Sequence, residues 1–471
     1  MKRRMMRFAA CTMAVLMILS TFVLGGCKDH EGPGPADPND VITADNLLER
    51  MGEAMNSISS YTMEGGGTLK TTYMGVAVEV DVSMVEKKVG GEGNALASYS
   101  RTEMLGMANG QTVVNNVELN GYYNGKMFQA TGDSTKVTGI YSTLSPEDYQ
   151  LFQKDNEEDE DFSSVECTVK SCEEVDGNWV ATYSGFTDFG AFGSLTEGMD
   201  SMFEEGVSFK DIKLTFTTGK DLVLKKADIE FIFASEDENA TLPVFTMSFQ
   251  IKDAGSTTVT EVDLSQYKEV YDLRIAHTLE KAYTAREERA QGGYVAVIKQ
   301  TTRSGNEKPV TSEETDTVSY GVRDGNFEYF VKAVTGNYRI EQSYWMGQKR
   351  IIVRNGSWNA APVSNTTEES TDEDERAFIR NNMNPAQFDA FNVSDIQKVE
   401  GEDDVYLITI ANPNTDPFSN FVDEPQVTAT LRVSLYNGEL LEALYTYSGS
   451  VNYGISTATY SLTSNIEFSN K

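Results

Sequence analysis

The chain has 471 residues, 39% of them hydrophobic and 10% aromatic, with 72 acids against 39 bases and a formal charge of −33. That apolar content is too high for a disordered chain, and the length allows two or more domains with cores of their own, so a small disulfide-stapled scaffold is excluded. Nucleic acid is not an expected partner, because that affinity comes from basic groups releasing counterions and this surface repels phosphate.

Lys2, Arg3, Arg4 and Arg7 precede an apolar stretch from Phe8 to Leu24, the pattern of a signal peptide over residues 1–26. Leu24-Gly25-Gly26-Cys27 follows directly. It resembles the bacterial lipobox, in which the cysteine thiol takes a diacylglyceryl group and becomes the mature N-terminus. The resemblance implies lipidation of Cys27 and an extracytoplasmic place in the bacterial cell envelope, held to a membrane. A transmembrane anchor fits less well, since the run is short of the roughly 20 residues a spanning helix needs. Cleavage removes four bases and no acids, so the body becomes still more acidic. Two acyl chains, at about 0.8 kcal/mol per buried methylene, hold such a body against charge repulsion. Residues 27–40, with Pro33, Pro35 and Pro38, read as a flexible tether.

From residue 41 onward the chain reads as two copies of one unit, 41–267 and 268–471. Each copy opens on a helical spacing of apolar residues: Leu47, Leu48, Met51, Met55 and Ile58, then Val270, Leu273, Leu279 and Tyr283. A strand follows, opening at Tyr61 and Tyr294. Turn signals match at Tyr122-Tyr123-Asn124-Gly125-Lys126 and Tyr344-Trp345-Met346-Gly347-Gln348. Helix starts match at Ser145-Pro146 with Tyr149 and Phe152, and at Asn384-Pro385 with Phe388 and Phe391, each a cap, a first-turn proline and two aromatics. Trp179 to Tyr183 corresponds to Val405 to Ile410, and hairpins turning at Gly219 and Gly438 correspond to one another.

Between these marks lie alternating strands, as at Val76, Val78, Val80, Val82 and Met84, at Ile229, Phe231 and Phe233, and at Leu431, Val433 and Leu435. Gly65-Gly66-Gly67 sits in a strand and marks a bulge or a close backbone approach. The fold class expected is α+β and mainly antiparallel β, as two tandem domains each with one covered sheet face and short helices. Cys167 and Cys172, five apart in a strand-like stretch, are read as either a bonded pair or two free thiols; a bond would need a turn between them.

A lipidated, acidic chain whose unit is an N-terminal helix followed by a meandering antiparallel sheet resembles the LolA/LolB-like and LppX/LprG-like superfamily. Leu24 to Cys27, the helices with the Tyr61 and Tyr294 strands, and the glycine turns at 125, 347, 219 and 438 carry the resemblance. It implies a curved half-barrel around an apolar cavity for acyl chains, with helices as a lid. Phe186, Phe189, Phe192, Leu195, Met199, Met202 and Phe203 recur at helical steps and are the lid candidates, with Phe418, Phe421 and Val422 at the matching place in the second copy. Methionine adapts to irregular apolar surfaces, which suits a lid. A helix that merely plugs an open sheet has the same stripe.

The only histidines are His30 and His277, so a serine triad, a histidine zinc site and a cysteine–histidine pair all lack their base or ligand. No cofactor, no metal and no enzymatic activity are expected. Asn412, Asn414, Asp416 and Asp423 have some calcium-loop spacing, but Pro417 stands where the turn glycine belongs. The acidic runs from Asp155 to Asp161 and from Glu368 to Glu375 are read as solvated loops. The expected function is non-catalytic binding of an apolar or amphiphilic, lipid-like envelope molecule. The alternative is a protein-interaction or envelope-stress-sensing module with an envelope protein as partner.

Overall fold

The structure, a computed structural model, describes residues 41–73, 75–90, 96–156, 167–186, 207–235, 241–260, 262–287, 292–304, 307–323, 326–370, 390–403, 405–411, 423–434, 439–452 and 457–469. The chain divides into two compact units, Met1–Tyr267 and Lys268–Lys471.

In the first unit, helix α1 (Leu47–Asn56) precedes β1 (Ser60–Tyr73), β2 (Val76–Val89), β3 (Ala97–Ala108), β4 (Gln111–Tyr123), β5 (Lys126–Gly132) and β6 (Val137–Thr143). Helix α2 (Pro146–Asn156) follows, then β7 (Cys167–Val175), β8 (Asn178–Phe186), β9 (Val207–Thr218), β10 (Leu224–Ser235) and β11 (Val244–Lys252). The strands lie in the order β6-β5-β4-β3-β2-β1-β11-β10-β9-β8-β7, antiparallel throughout.

The second unit begins with β12 (Lys268–Glu269) and α3 (Arg274–Glu287). Strands β13 (Gly292–Ser304), β14 (Val310–Arg323), β15 (Asn326–Thr335), β16 (Tyr338–Trp345), β17 (Gln348–Asn355) and β18 (Pro362–Glu369) come next. A 3-10 turn at Ala390–Asn392 leads to β19 (Val393–Lys398), β20 (Val405–Ala411), β21 (Asp423–Ser434), β22 (Glu439–Asn452) and β23 (Thr457–Ser469). The order is β18-β17-β16-β15-β14-β13-β23-β22-β21-β20-β19, again antiparallel. Each sheet is curved and unclosed, and in each the first long strand lies in the middle, paired with the second and the last.

Alternation builds the core of the first unit. Val78, Val80, Val82 and Met84 of β2 are buried while their neighbours face solvent. They share one face, the inner face below, with Met63, Leu69, Ile212, Leu214, Phe216, Ile229, Phe231, Phe245, Met247 and Phe249. Helix α1 lies against this face through Leu47, Met51 and Met55, four residues apart and all at most 1% exposed. Gly65 and Gly67 face Phe249 and Met247, and a Cβ on Gly65 would meet the Phe249 ring at 2.5 Å. The pairing of β1 with both neighbours runs through all three glycines without a shift, so they mark close approach and not a bulge.

The other face of β3 to β6 is covered as well. Tyr99, Val117, Leu119, Phe128 and Ala130 are buried there with Val259, and Val262, Leu264 and Tyr267 pack onto them. Gly139 leaves the space that the Tyr267 ring fills. In the second unit, Leu273, just before α3, and Ile275, Ala276 and Leu279 within it are buried, and His277 meets Phe391 edge-on with ring centroids 6.4 Å apart.

The two matched turn signals are two-residue hairpin loops. Asn124 and Gly125 have φ of 51° and 74°, and Met346 and Gly347 have 48° and 75°, the paired positive values that suit the twist of flanking strands. The Ser145 hydroxyl accepts the Asp148 N–H at 3.1 Å and donates to the Asp148 carboxylate at 2.8 Å, so α2 is capped as its sequence indicates. Two loop assignments need correction. Asp155 and Asn156 belong to α2, and Glu368 and Glu369 end β18, whose residues are all exposed; an edge strand carries charge as readily as a loop does.

Candidate functional site

Cys27, Phe189, Phe192, Leu195, Met199, Met202, Phe203, Phe418, Phe421 and Val422 lie outside the described residues. Phe186 is described. It ends β8 half-buried and packs on the inner-face core. The Asp211 carboxylate fixes this strand end, accepting the N–H groups of Gly185 at 2.8 Å and Phe186 at 3.2 Å. Phe209, near the start of β9, packs against Phe231 and Phe233 with centroids 6.4 and 6.2 Å away. Residue 186 and residue 207 thus both lie at the apolar half of the inner face.

The same face changes character across β2. Met63 pairs with Glu86, Glu86 with Ser100, Ser100 with Asn120, and Asn120 with Gln129, one cross-strand row of four polar side chains beside the apolar half. Gln129 is 1% exposed and the other three are half-buried. Tyr61 donates its hydroxyl proton to Glu86 Oε1 at 3.0 Å. Burial raises the Glu86 carboxyl above its ordinary range, against the lowering effects of the Tyr61 hydrogen bond and the Lys88 charge. Burial, then the Glu86 charge, raises the Tyr61 phenol well above its usual value.

Aromatic groups lie alongside the row, where Tyr122 stands between Ser98 and Met127 in the next cross-strand row. Tyr149 of α2 stacks on Tyr122 with centroids 4.4 Å apart and shares a 2.8 Å hydrogen bond with Ser98. Tyr122 donates to the Leu144 carbonyl at 2.8 Å. Burial pushes the Tyr149 phenol up to about 12, so it stays a neutral hydrogen-bonding group. The arrangement offers phenols, amides and a carboxyl whose pKa burial raises, next to a methionine-rich apolar surface built on the sheet from Met63, Met84, Met104 and Met247. It suits the recognition of a polar head attached to an apolar body.

No family model and no curated protein matches the chain. Among solved structures it is similar to a DUF1329 family protein from Desulfovibrio piger, at 11% identity over 41% of this chain and 91% of that one, with a TM-score of 0.18. MucB in complex with MucA(peri) is similar at 9% identity over 69% of this chain and 91% of that one, with a TM-score of 0.19. Intact Ap-TbpB, with its N and C lobes, is similar at 7% identity over 88% and 78% of the two chains, with a TM-score of 0.15.

The second unit repeats part of the arrangement. Tyr294 opens β13 as Tyr61 opens β1, and Ala296 pairs with Asp316 as Met63 pairs with Glu86. Burial and then the Asp316 charge raise the Tyr294 phenol. Asp316 accepts the Val334 N–H at 3.0 Å. The acids escaped attention in the sequence, although a signal is there. Glu86 continues the parity of Val80, Val82 and Met84, so it is an acid on the apolar register of its strand.

Cys167 and Cys172 are both free and both on β7, with no turn between them. Five residues of strand separate them by roughly 16 Å, far beyond the reach of a disulfide. They nonetheless both pack on the core, because regular pairing lapses at Thr168 and Gly185, where Gly185 takes a φ of 69°. Among the described residues no group of three or more His, Cys, Asp or Glu is placed to hold a metal, and no helix is long and apolar enough to cross a membrane.

Proposed function

We propose that the protein is a bacterial surface lipoprotein, anchored by a diacylglyceryl group on Cys27, that binds an apolar or amphiphilic envelope molecule without catalysing a reaction. The observation that carries this reading is the inner face of the first unit, where a buried, methionine-rich apolar half meets a row of polar groups headed by the Tyr61–Glu86 pair. An acyl body would gain about 0.8 kcal/mol per methylene taken from water, and the polar row would orient its head.

In this reading α1 is a lid. Its ten residues carry no side-chain N-cap hydrogen bond, and a helix this short depends on docking for its stability. Displacement of α1 would open the apolar half while the sheet stays intact. The common strand order and the repeated tyrosine–acid register support an origin of both units by tandem duplication.

The test is displacement of a hydrophobic dye by palmitate and by phospholipid, together with native mass spectrometry of the purified protein. Displacement at micromolar lipid, or a co-purified lipid mass, is the expected result. No displacement and no bound lipid would refute the proposal, and a stoichiometric protein partner in the same preparations would favour the interaction module.

A further inference from the structure

The outer face of β16 to β18 in the second unit holds a hollow of about 470 Å³ lined by Ser343, Trp345, Gln348, Arg350, Asn365 and Thr367. Trp345 is 57% exposed. The other two tryptophans have their ring faces occupied, with the Lys220 ammonium 4.8 Å from the Trp179 ring and the Lys332 ammonium 4.6 Å from that of Trp358. Among the described residues no such group lies on Trp345. An uncovered indole face is available for stacking, which sets Trp345 apart from the other two.

The surroundings of this indole are polar and planar. Ser343, Arg350 and Thr367 form one cross-strand row, with Gln348 directly opposite Trp345. Arg350 Nε donates to Asn365 Oδ1 at 3.1 Å, which steadies the guanidinium in the hollow. No carboxylate is among the six lining residues, in a chain with 72 acids. The matching hairpin of the first unit shows that this is not a requirement of the fold. By the shared turn, Phe128 and Leu119 stand where Arg350 and Glu341 stand, and they are buried under the segment that includes Val259 and Tyr267.

The geometry points to a carbohydrate site in this hollow, with one pyranose ring stacked on Trp345 and its hydroxyls bonded by Gln348, Arg350 and Asn365. The ring C–H groups of a sugar carry partial positive charge and meet the negative face of the indole. Amide and guanidinium groups, held in place before binding, then donate to and accept from vicinal hydroxyls. The hollow holds one or two sugar units, so the ligand is a short oligosaccharide or a terminal segment of a polysaccharide. This inference is independent of the inner-face site.

The test is affinity electrophoresis of the full mature protein in detergent, through gels containing hydroxyethylcellulose, glycol chitin, laminarin or mannan. Retardation by at least one polysaccharide is expected. Trp345→Ala should weaken it at least about tenfold and Arg350→Ala at least about threefold, with Trp345→Phe between wild type and alanine. The melting temperature and the dye affinity of the inner face should not change in Trp345→Ala. Absence of retardation in all four gels would overturn the inference, as would retardation that Trp345→Ala leaves intact. Loss of retardation together with a lowered melting temperature in both Trp345→Ala and Arg350→Ala would also overturn it.

Discussion

If α1 is a lid, loosening its contacts should tighten ligand binding while it weakens the protein. Met51 is the cleanest place to test this, because its side chain is fully buried between Leu47 and Met55 against the inner face. Met51→Ala removes the thioether and leaves a cavity, at a cost of about 2 to 5 kcal/mol for substitutions of this kind. Where that cost falls on docking of α1, each 1.4 kcal/mol raises the undocked population about tenfold. Apparent affinity rises by the same factor until the open state dominates. The expected result is at least a tenfold tighter apparent dissociation constant for a hydrophobic dye. Amide exchange at residues 47–56 should accelerate in parallel, with β1 and β2 protected as before. A dissociation constant that stays the same or weakens, with exchange accelerated in α1, would refute the lid.

Gly65→Val should destabilise the first unit by about 3 kcal/mol, because the new Cβ falls on the Ser248 carbonyl and the Phe249 ring. A thermal melt that moves by less than about 2 °C would count against the close-packed β1. Burial and then the Lys281 charge lower the His277 imidazole to about 4, below its usual 6.5. The unfolded chain therefore binds the proton first as pH falls, so stability is lost from pH 6.5 down to about 4, by at most about 3 kcal/mol and less for a half-buried ring. His277→Gln should flatten this part of the stability–pH curve, and an unchanged slope would contradict the assignment. Cys167 and Cys172 should give equal mobility with and without reductant. Burial raises both thiols, so alkylation at pH 7 should be slower than for free cysteine. A mass two protons lower under oxidising conditions would mean that they bond.

The alternating valines of β2, the helical spacing of α1, the capped start of α2 and the glycine turns at 125 and 347 were all legible, because each is set by local geometry. The polar row on the inner face is not legible in the same way. Asn120 and Gln129 lie on β4 and β5, and their alignment with Glu86 and Ser100 appears only when four strands are brought into register. Long-range register is a property of the sheet and not of any window of sequence. The cysteines follow their spacing in remaining free, but not in the faces they take. An odd separation places two residues on opposite faces of a regular strand, and it was the lapse at Gly185 that returned Cys167 to the core side.

The two sheets share an order of strands yet treat the outer face beside this hairpin differently. In the first unit that face is closed by apolar packing, with the Phe128 ring 6.4 Å from the Tyr267 ring. In the second unit the corresponding positions carry Arg350, exposed, and Glu341, which pairs with Arg354 at 3.4 Å. A face sealed by several buried aromatics contributes folding energy, and one left open with an exposed indole forgoes it. A sheet that has lost that stabilisation on one side must hold its register by backbone pairing and by its inner face. Here the pairing of β16 with β17 runs unbroken over eight residues, from Tyr338 opposite Asn355 to Trp345 opposite Gln348. That rigid ladder is what holds Trp345, Gln348 and Arg350 at fixed spacing. The stability forgone at this face is therefore the condition for its use as a binding surface.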